Sequence, residues 1–176
     1  MKKKTICVQG IGFVGAAMIS VLADARNNKN KFLYNVVGVD LASKVGRARI
    51  RNINLGLFPF KTKDKKIINS LRIANKQQRL SATTNTKIFS KANIIIIDTH
   101  LDLKEFNRDI NKSNFVRGIK EVSRFINPQT LLLIESTIPP GMTEKVLVPE
   151  IKRILKSRKM RLEDIFIAHS YERVMP

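Results

Sequence analysis

At 176 residues the chain is long enough for one domain with a full hydrophobic core, and its single cysteine, Cys7, excludes an intrachain disulfide or a paired-cysteine metal site. The 33 lysines and arginines against 14 acids give a formal charge of +19. Those cations are scattered along the chain with few aromatic residues between them, which disfavours specific nucleic-acid binding and favours solvated basic faces.

The first predicted element is a buried strand, Thr5–Gln9. Gly10-Ile11-Gly12-Phe13-Val14-Gly15 follows, then an apolar stretch from Ala16 to Ala25 long enough for a helix. This is a dinucleotide-binding layout: one glycine turns tightly, a second lets the backbone approach a pyrophosphate, and a third allows close helix–strand packing. The helix N-terminus supplies amide donors and partial positive charge for the phosphates. Lys2-Lys3-Lys4 before an apolar stretch also fits a secretory leader. Gln9, the glycine spacing and an acid ending the next strand are not features a leader requires. That second strand is expected over Tyr34–Asp40. Asp40 can accept two hydrogen bonds from a ribose diol and repels a 2′-phosphate, favouring NAD over NADP; its plainer reading is a turn residue. Lys44 and Arg47 most simply decorate the helix that follows.

In that helix Val45, Ile50, Ile53 and Leu57 keep helical spacing, with Gly56 as a stop and Pro59 as a break. Asp64 is positioned to cap a helix carrying Ile67, Ile68 and Leu71. Strands follow at Arg79–Thr83 and Asn93–Asp98, and Ile94-Ile95-Ile96-Ile97 has the continuous apolar character of a strand covered on both faces. Phe115, Ile119, Val122 and Ile126 mark a helix ended by Asn127-Pro128. Strand Thr130–Glu135 is followed by a helix with Thr143 at its start and Pro149 inside it, where a kink or late start is expected. The last strand is Ile165–Ala168. Alternating strands and helices predict an α/β fold: a Rossmann-type, doubly wound, mainly parallel six-stranded sheet with helices on both faces. No other segment has the ~20 unbroken apolar residues of a membrane span, so a soluble, cytoplasmic protein without membrane partners is expected.

Ligands of such sheets bind beyond the carboxyl ends of the strands. Those ends carry Gly10–Gly15, Asp40, Asp98-Thr99-His100, Glu135-Ser136-Thr137 and His169-Ser170-Tyr171-Glu172, five tips on one rim. The hydroxyls before Ile138-Pro139-Pro140-Gly141 can hold a ligand, or the segment is simply a well-capped connection. His100 and His169 lack the spaced partners a metal site needs, and no metal is expected. Glu172 can steer water or a proton. Cys7, inside a strand, reads as a small buried hydrophobe.

Several segments together resemble the UDP-glucose/GDP-mannose dehydrogenases, which oxidise nucleotide sugars to uronic acids. They are Lys4–Gly15, Val37–Asp40, Ile53–Phe60, Arg79–Thr84, Glu135–Thr143 with its Pro-Pro-Gly turn, and Ser170-Tyr171-Glu172-Arg173-Val174, in order along nearly the whole chain. The glycine loop alone is a weak signal; the ordered set is a specific one. The resemblance implies that Gly10, Ile11, Gly12, Phe13, Val14, Gly15 and Asp40 hold NAD, with Thr99 and Thr137 on the nicotinamide side. Thr137 and Glu172 would position or activate the hydrolytic water, and Arg173–Pro176 would begin the substrate-binding stretch. In the family two NAD molecules successively take hydrides from the sugar's primary alcohol, and the acid forms through a cysteine-bound thioester.

Departures accompany the matches. Asp98-Thr99-His100 stands where the family has Pro-Thr-Pro, and Tyr171 replaces the proline before the glutamate. The family's catalytic cysteine, lysine and asparagine, its central dimer-forming helix and its second nucleotide-binding domain lie beyond the matching segments. Residues 1–176 are therefore expected to be a single NAD-binding domain, the cofactor half of a nucleotide-sugar 6-dehydrogenase, not catalytically competent alone. Its expected partners are NAD and a nucleotide sugar, with a homo-oligomer or the remaining C-terminal portion of the enzyme as a further associate. The alternatives are a non-catalytic NAD-binding interaction module and, less favoured, a basic nucleic-acid-binding protein.

Overall fold

The computed structural model of the protein describes residues 3–99, 101–103 and 110–171. Six strands form one all-parallel sheet: β1 (Lys4–Gln9), β2 (Tyr34–Val39), β3 (Leu80–Thr83), β4 (Ile94–Ile97), β7 (Leu131–Ile134) and β8 (Phe166–His169). Their order is β3-β2-β1-β4-β7-β8, so the chain winds outward from β1 in one direction, then returns to β4 and winds outward in the other. The reversal between β1 and β4 is the topological switch point of a doubly wound sheet. A small antiparallel ribbon, β5 (Asp102–Leu103) with β6 (Ile110–Asn111), follows β4 and had no signal in the sequence.

The apolar runs sort by their period of two into two cores. On one face Ile6, Val8, Val36, Leu80, Ala82 and Ile96 meet Ala16, Ile19 and Ala23 of α1 (Phe13–Asp24) and Leu71 and Ala74 of α3 (Lys65–Lys76). On the other, Cys7, Val37, Val39, Ile95, Ile97, Leu132 and Ile134 meet Phe115, Ile119 and Val122 of α4 (Ser113–Phe125) and Leu147, Ile151 and Leu155 near α5 (Val148–Ser157). The tetra-isoleucine and tri-leucine runs are central strands, as their continuous hydrophobicity requires. The apolar segment that would also fit a leader supplies β1 and α1 to this core.

Helix α2 (Lys44–Asn54) adds Ile53 to the first of these cores and closes the sheet's β3 edge. An edge strand leaves backbone groups unpaired. The Asn54 side chain pairs them, accepting from the Ala82 N–H at 2.6 Å and donating to the Ala82 carbonyl at 3.0 Å. Asp64 caps α3 as expected, accepting from the Lys66 and Ile67 amides. Pro149 produces the late start: Thr143–Leu147 forms a single π turn, with the Val148 N–H reaching the Thr143 carbonyl, and regular helix begins at Val148. Proline has no N–H for the preceding turn, and the wider turn accommodates its ring. Thr143 makes no capping bond, contrary to its expected role.

Two of the arginines are drawn inward to hold backbone carbonyls. Arg158 is half-buried and donates to the Ser123 and Ile126 carbonyls at 2.8 and 2.7 Å, closing the end of α4. Arg79 is buried; it donates to the Ala23 carbonyl at 2.9 Å and its guanidinium lies 3.7 Å from the centre of the Phe32 ring. Burial lowers the affinity of both guanidiniums for their protons. Among the described residues no helix is long and apolar enough to cross a membrane.

Candidate functional site

Because all six strands run parallel, their carboxyl ends share one rim, and the strand-tip residues read from the sequence converge there where they are described. His100 and Glu172, with Arg173–Pro176, lie outside the described residues. The rim is stitched by backbone bonds: Gly10 N–H to Val39 O at 2.8 Å, Asp98 N–H to Gln9 O at 2.8 Å, Asp40 N–H to Thr83 O at 3.3 Å and Ser170 N–H to Ile134 O at 2.9 Å.

The three glycines of the loop serve different physical needs. Gly10 has φ +99, and a Cβ there would sit 2.0 Å from the Asp98 carbonyl oxygen. A Cβ on Gly15, in the first turn of α1, would sit 2.0 Å from the Gly10 carbonyl oxygen. Both are demanded by the protein's own packing. Gly12 is different: its backbone is in the ordinary extended region, φ −69 and ψ −171, and a Cβ there would meet no atom of the described residues within 4 Å. No atom of the described residues requires a glycine at this position. Gly12 is also the N-cap of α1, and no side chain caps the helix or places an acid in its first turn. The first amides of the helix, which have no intrahelical partner, therefore face an open cradle at the switch point. Ile11 is fully buried, so only its backbone is available to a ligand.

Asp40 follows β2 directly. Its Oδ1 accepts from the Leu41 amide at 2.8 Å, while Oδ2 is buried and makes no hydrogen bond. The side chain is only 10% exposed, so a carboxylate oxygen is held at the rim, shielded from water, with acceptor capacity left over. A ribose diol supplies the donors such an oxygen lacks. The open Gly12 cradle and this acceptor together fit a dinucleotide.

On the other side of the switch point Ser136 fastens the tips. The buried Ser136 hydroxyl donates to the Thr99 carbonyl at 2.7 Å and accepts from the Thr99 amide at 3.1 Å. Thr99 Oγ1 is buried without a hydrogen bond, and Thr137, next to Ser136 in sequence, is exposed. Of the two hydroxyl-bearing residues before the Pro-Pro-Gly turn, Ser136 is thus buried and structural and Thr137 is exposed. His169 reaches the Ser136 carbonyl at 3.4 Å. Cys7 is fully buried and burial pushes its thiol up to about 12, which leaves it a core hydrophobe with no thiolate at neutral pH. No cluster of three metal-ligating side chains occurs among the described residues.

Three features of the rim had no clear sequence signal. Phe13 packs edge-on against Phe58 and Phe60, at ring-centre distances of 5.9 and 5.7 Å, tying the start of α1 to the loop after α2. Arg49 of α2 approaches Asp40, with Nη1 3.7 Å from Oδ2. An open groove of about 470 Å³ lies between α2 and the end of β3, lined by residues that include Arg47, Arg51, Thr83 and Thr84.

The chain matches the sequence profile of the UDP-glucose/GDP-mannose dehydrogenase family, NAD binding domain, over residues 4–176. It is 31% identical over 173 residues to a UDP-N-acetyl-D-mannosamine dehydrogenase of Pyrococcus horikoshii, covering 97% of this chain and 37% of that protein. The enzyme of the same name from Methanocaldococcus jannaschii is 29% identical over 175 residues, covering 98% and 35%. Among solved structures, an NDP-N-acetyl-D-galactosaminuronic acid dehydrogenase from Methanosarcina mazei superposes with a TM-score of 0.85 at 26% identity, over 98% of this chain and 35% of that one. The chain spans little more than a third of the length of the relatives it matches.

Proposed function

Because the chain belongs to the UDP-glucose/GDP-mannose dehydrogenase family and carries its NAD-binding domain, we propose that it binds NAD at the switch-point rim as the cofactor half of a nucleotide-sugar 6-dehydrogenase. The observation that carries this reading is Gly12. A glycine that none of the described residues requires, at the uncapped start of α1, is accounted for by a pyrophosphate that comes closer than a Cβ would allow. The amides of Phe13, Val14 and Gly15 would meet that pyrophosphate, with Gly10 and Ile11 shaping the turn before it. Asp40 Oδ2 would accept from the adenosine ribose. Bound NAD supplies the hydride acceptor of the oxidation.

Thr99 and Thr137 would border the nicotinamide end. Thr137 is exposed just beyond the end of β7, and the Ser170 amide donates to the Ile134 carbonyl at the same end of that strand; by likeness to the family, Glu172 would act with it. A threonine hydroxyl and a carboxylate there would orient the water that releases the acid. The nucleophile is a different matter. The one cysteine in these 176 residues, Cys7, is shut inside the core, so a thioester step needs a cysteine from outside them. UDP- and GDP-linked sugars are the substrates proposed for the whole enzyme, by likeness to the relatives.

Two measurements test the reading. Calorimetric titration should show NAD binding that weakens about 10- to 100-fold in Asp40→Ala, the loss of hydrogen bonds to a charged acceptor. Wild-type protein that does not bind NAD, or an Asp40→Ala variant that binds it equally well, refutes the assignment. The same 176 residues mixed with NAD and UDP-N-acetylmannosamine, UDP-glucose or GDP-mannose should give no sustained NADH signal at 340 nm. Multiple turnovers would show that these residues hold a complete reaction centre.

A further inference from the structure

The carboxylate at the end of β2 does not stand alone. Arg49 reaches it from the side of α2, with Nη1 3.7 Å from Asp40 Oδ2 and no hydrogen bond between them. The same guanidinium lies 5.4 Å from the centre of the Phe60 ring, and Phe60 is packed against Phe13 and Phe58. Arg49 is therefore held by two independent attractions, an ion pair and a cation–π contact, only one of which involves Asp40. Its side chain is about one-third exposed, at 32%, open to an incoming ligand. The cations nearer in sequence are placed otherwise: Arg47 turns its Nε to the Ala42 carbonyl at 3.1 Å, and Lys44 is exposed at the start of α2.

We propose that Asp40 and Arg49 form the specificity pair of the adenosine ribose site, in which Asp40 selects the free diol of NAD and masks an arginine already placed to take the 2′-phosphate of NADP. The inference rests on the reading of the rim as an NAD site. With Asp40 present, a 2′-phosphate meets a shielded carboxylate, and the positive charge beside it is already engaged. With Asp40 removed, the repelling charge is gone and the guanidinium stays on Phe60. A planar guanidinium with several N–H donors is the side chain best matched to a phosphate. One substitution on the strand tip should thus convert preference, with no new cation introduced.

The test is calorimetric titration of the 176-residue chain with NAD and NADP, for wild type, Asp40→Ala, Asp40→Ala/Arg49→Ala and Asp40→Ala/Arg47→Ala. Wild type should prefer NAD. Asp40→Ala should bind NADP at least about tenfold more tightly than wild type does, the range of a charge-assisted contact. Adding Arg49→Ala should remove that gain, and adding Arg47→Ala should keep it, which separates a local contact from the general attraction of a strongly basic chain. The inference is overturned if Asp40→Ala gains no NADP affinity, or if the gain survives loss of Arg49 or vanishes equally with Arg47, while wild type still binds NAD. Failure of wild type to bind NAD at all overturns the site reading itself, and this inference with it.

Discussion

Gly12→Ser is expected to fold like wild type and to lose NAD affinity by at least about 100-fold, equivalent to about 2.7 kcal/mol. The choice of serine matters. Serine is at least as good an N-cap as glycine, and the extended backbone at Gly12 is one that any residue adopts, so α1 should be unharmed or slightly stabilised. Its Cβ and hydroxyl, however, project into the cradle where none of the described residues has an atom within 4 Å. There they would push a pyrophosphate off the helix amides, and the hydroxyl would satisfy one of those amides itself. Thermal melting and calorimetric titration read the two halves separately. A variant that melts with wild type yet binds NAD equally tightly would mean the cradle is not the phosphate site.

Gly10→Ala should do the reverse, damaging the fold whether or not any ligand is present. At φ +99 a side chain is strained, an effect of about 1–3 kcal/mol. The added methyl would in addition overlap the Asp98 carbonyl, 2.0 Å away, and that backbone is anchored by the Asp98 amide on Gln9. Neither partner can retreat without breaking the pairing of β1 with β4 at the rim. A combined loss above about 3 kcal/mol follows, lowering Tm by about 6–12 °C in a domain of this size. A shift under about 2 °C would show that the loop relaxes freely and that Gly10 is not structurally required. Two glycines two positions apart in one motif thus make opposite predictions, one read by binding and one by melting.

Most of the fold was legible in the residues because its determinants are local. Unbroken apolar runs such as Ile94–Ile97 indicate strands covered on both faces, and strands alternating with helical periodicity indicate a parallel sheet. The expected strands agree with the observed ones to within one residue at each end, apart from the short ribbon after β4. A two-residue strand carries no periodicity to detect. The end of β2 and the glycine loop are likewise local signals, and both lie on the β1–β2 side of the switch point.

What the sequence by itself determined is therefore the order of elements, the positions of the strand tips and the chemical types gathered there. The tertiary structure alone decided which residue at each tip faces a ligand and which faces the protein. The motif offers the three glycines one role each; packing supplies the reason, with Gly10 and Gly15 required by backbone carbonyls and Gly12 by none of the described residues. Glu135-Ser136-Thr137 presents two hydroxyls, and the pleat turns Ser136 inward to tie down Thr99 and leaves Thr137 at the surface. Lys44 and Arg47 are closer to Asp40 along the chain than Arg49, yet Arg49 is the cation beside the carboxylate. Helical rotation and the docking of α2 against the β3 edge through Asn54 bring it there, and that docking depends on residues distant in sequence. Strand and helix are set by neighbours a few residues away, whereas the partner of a charge is set by whatever the completed fold brings within reach.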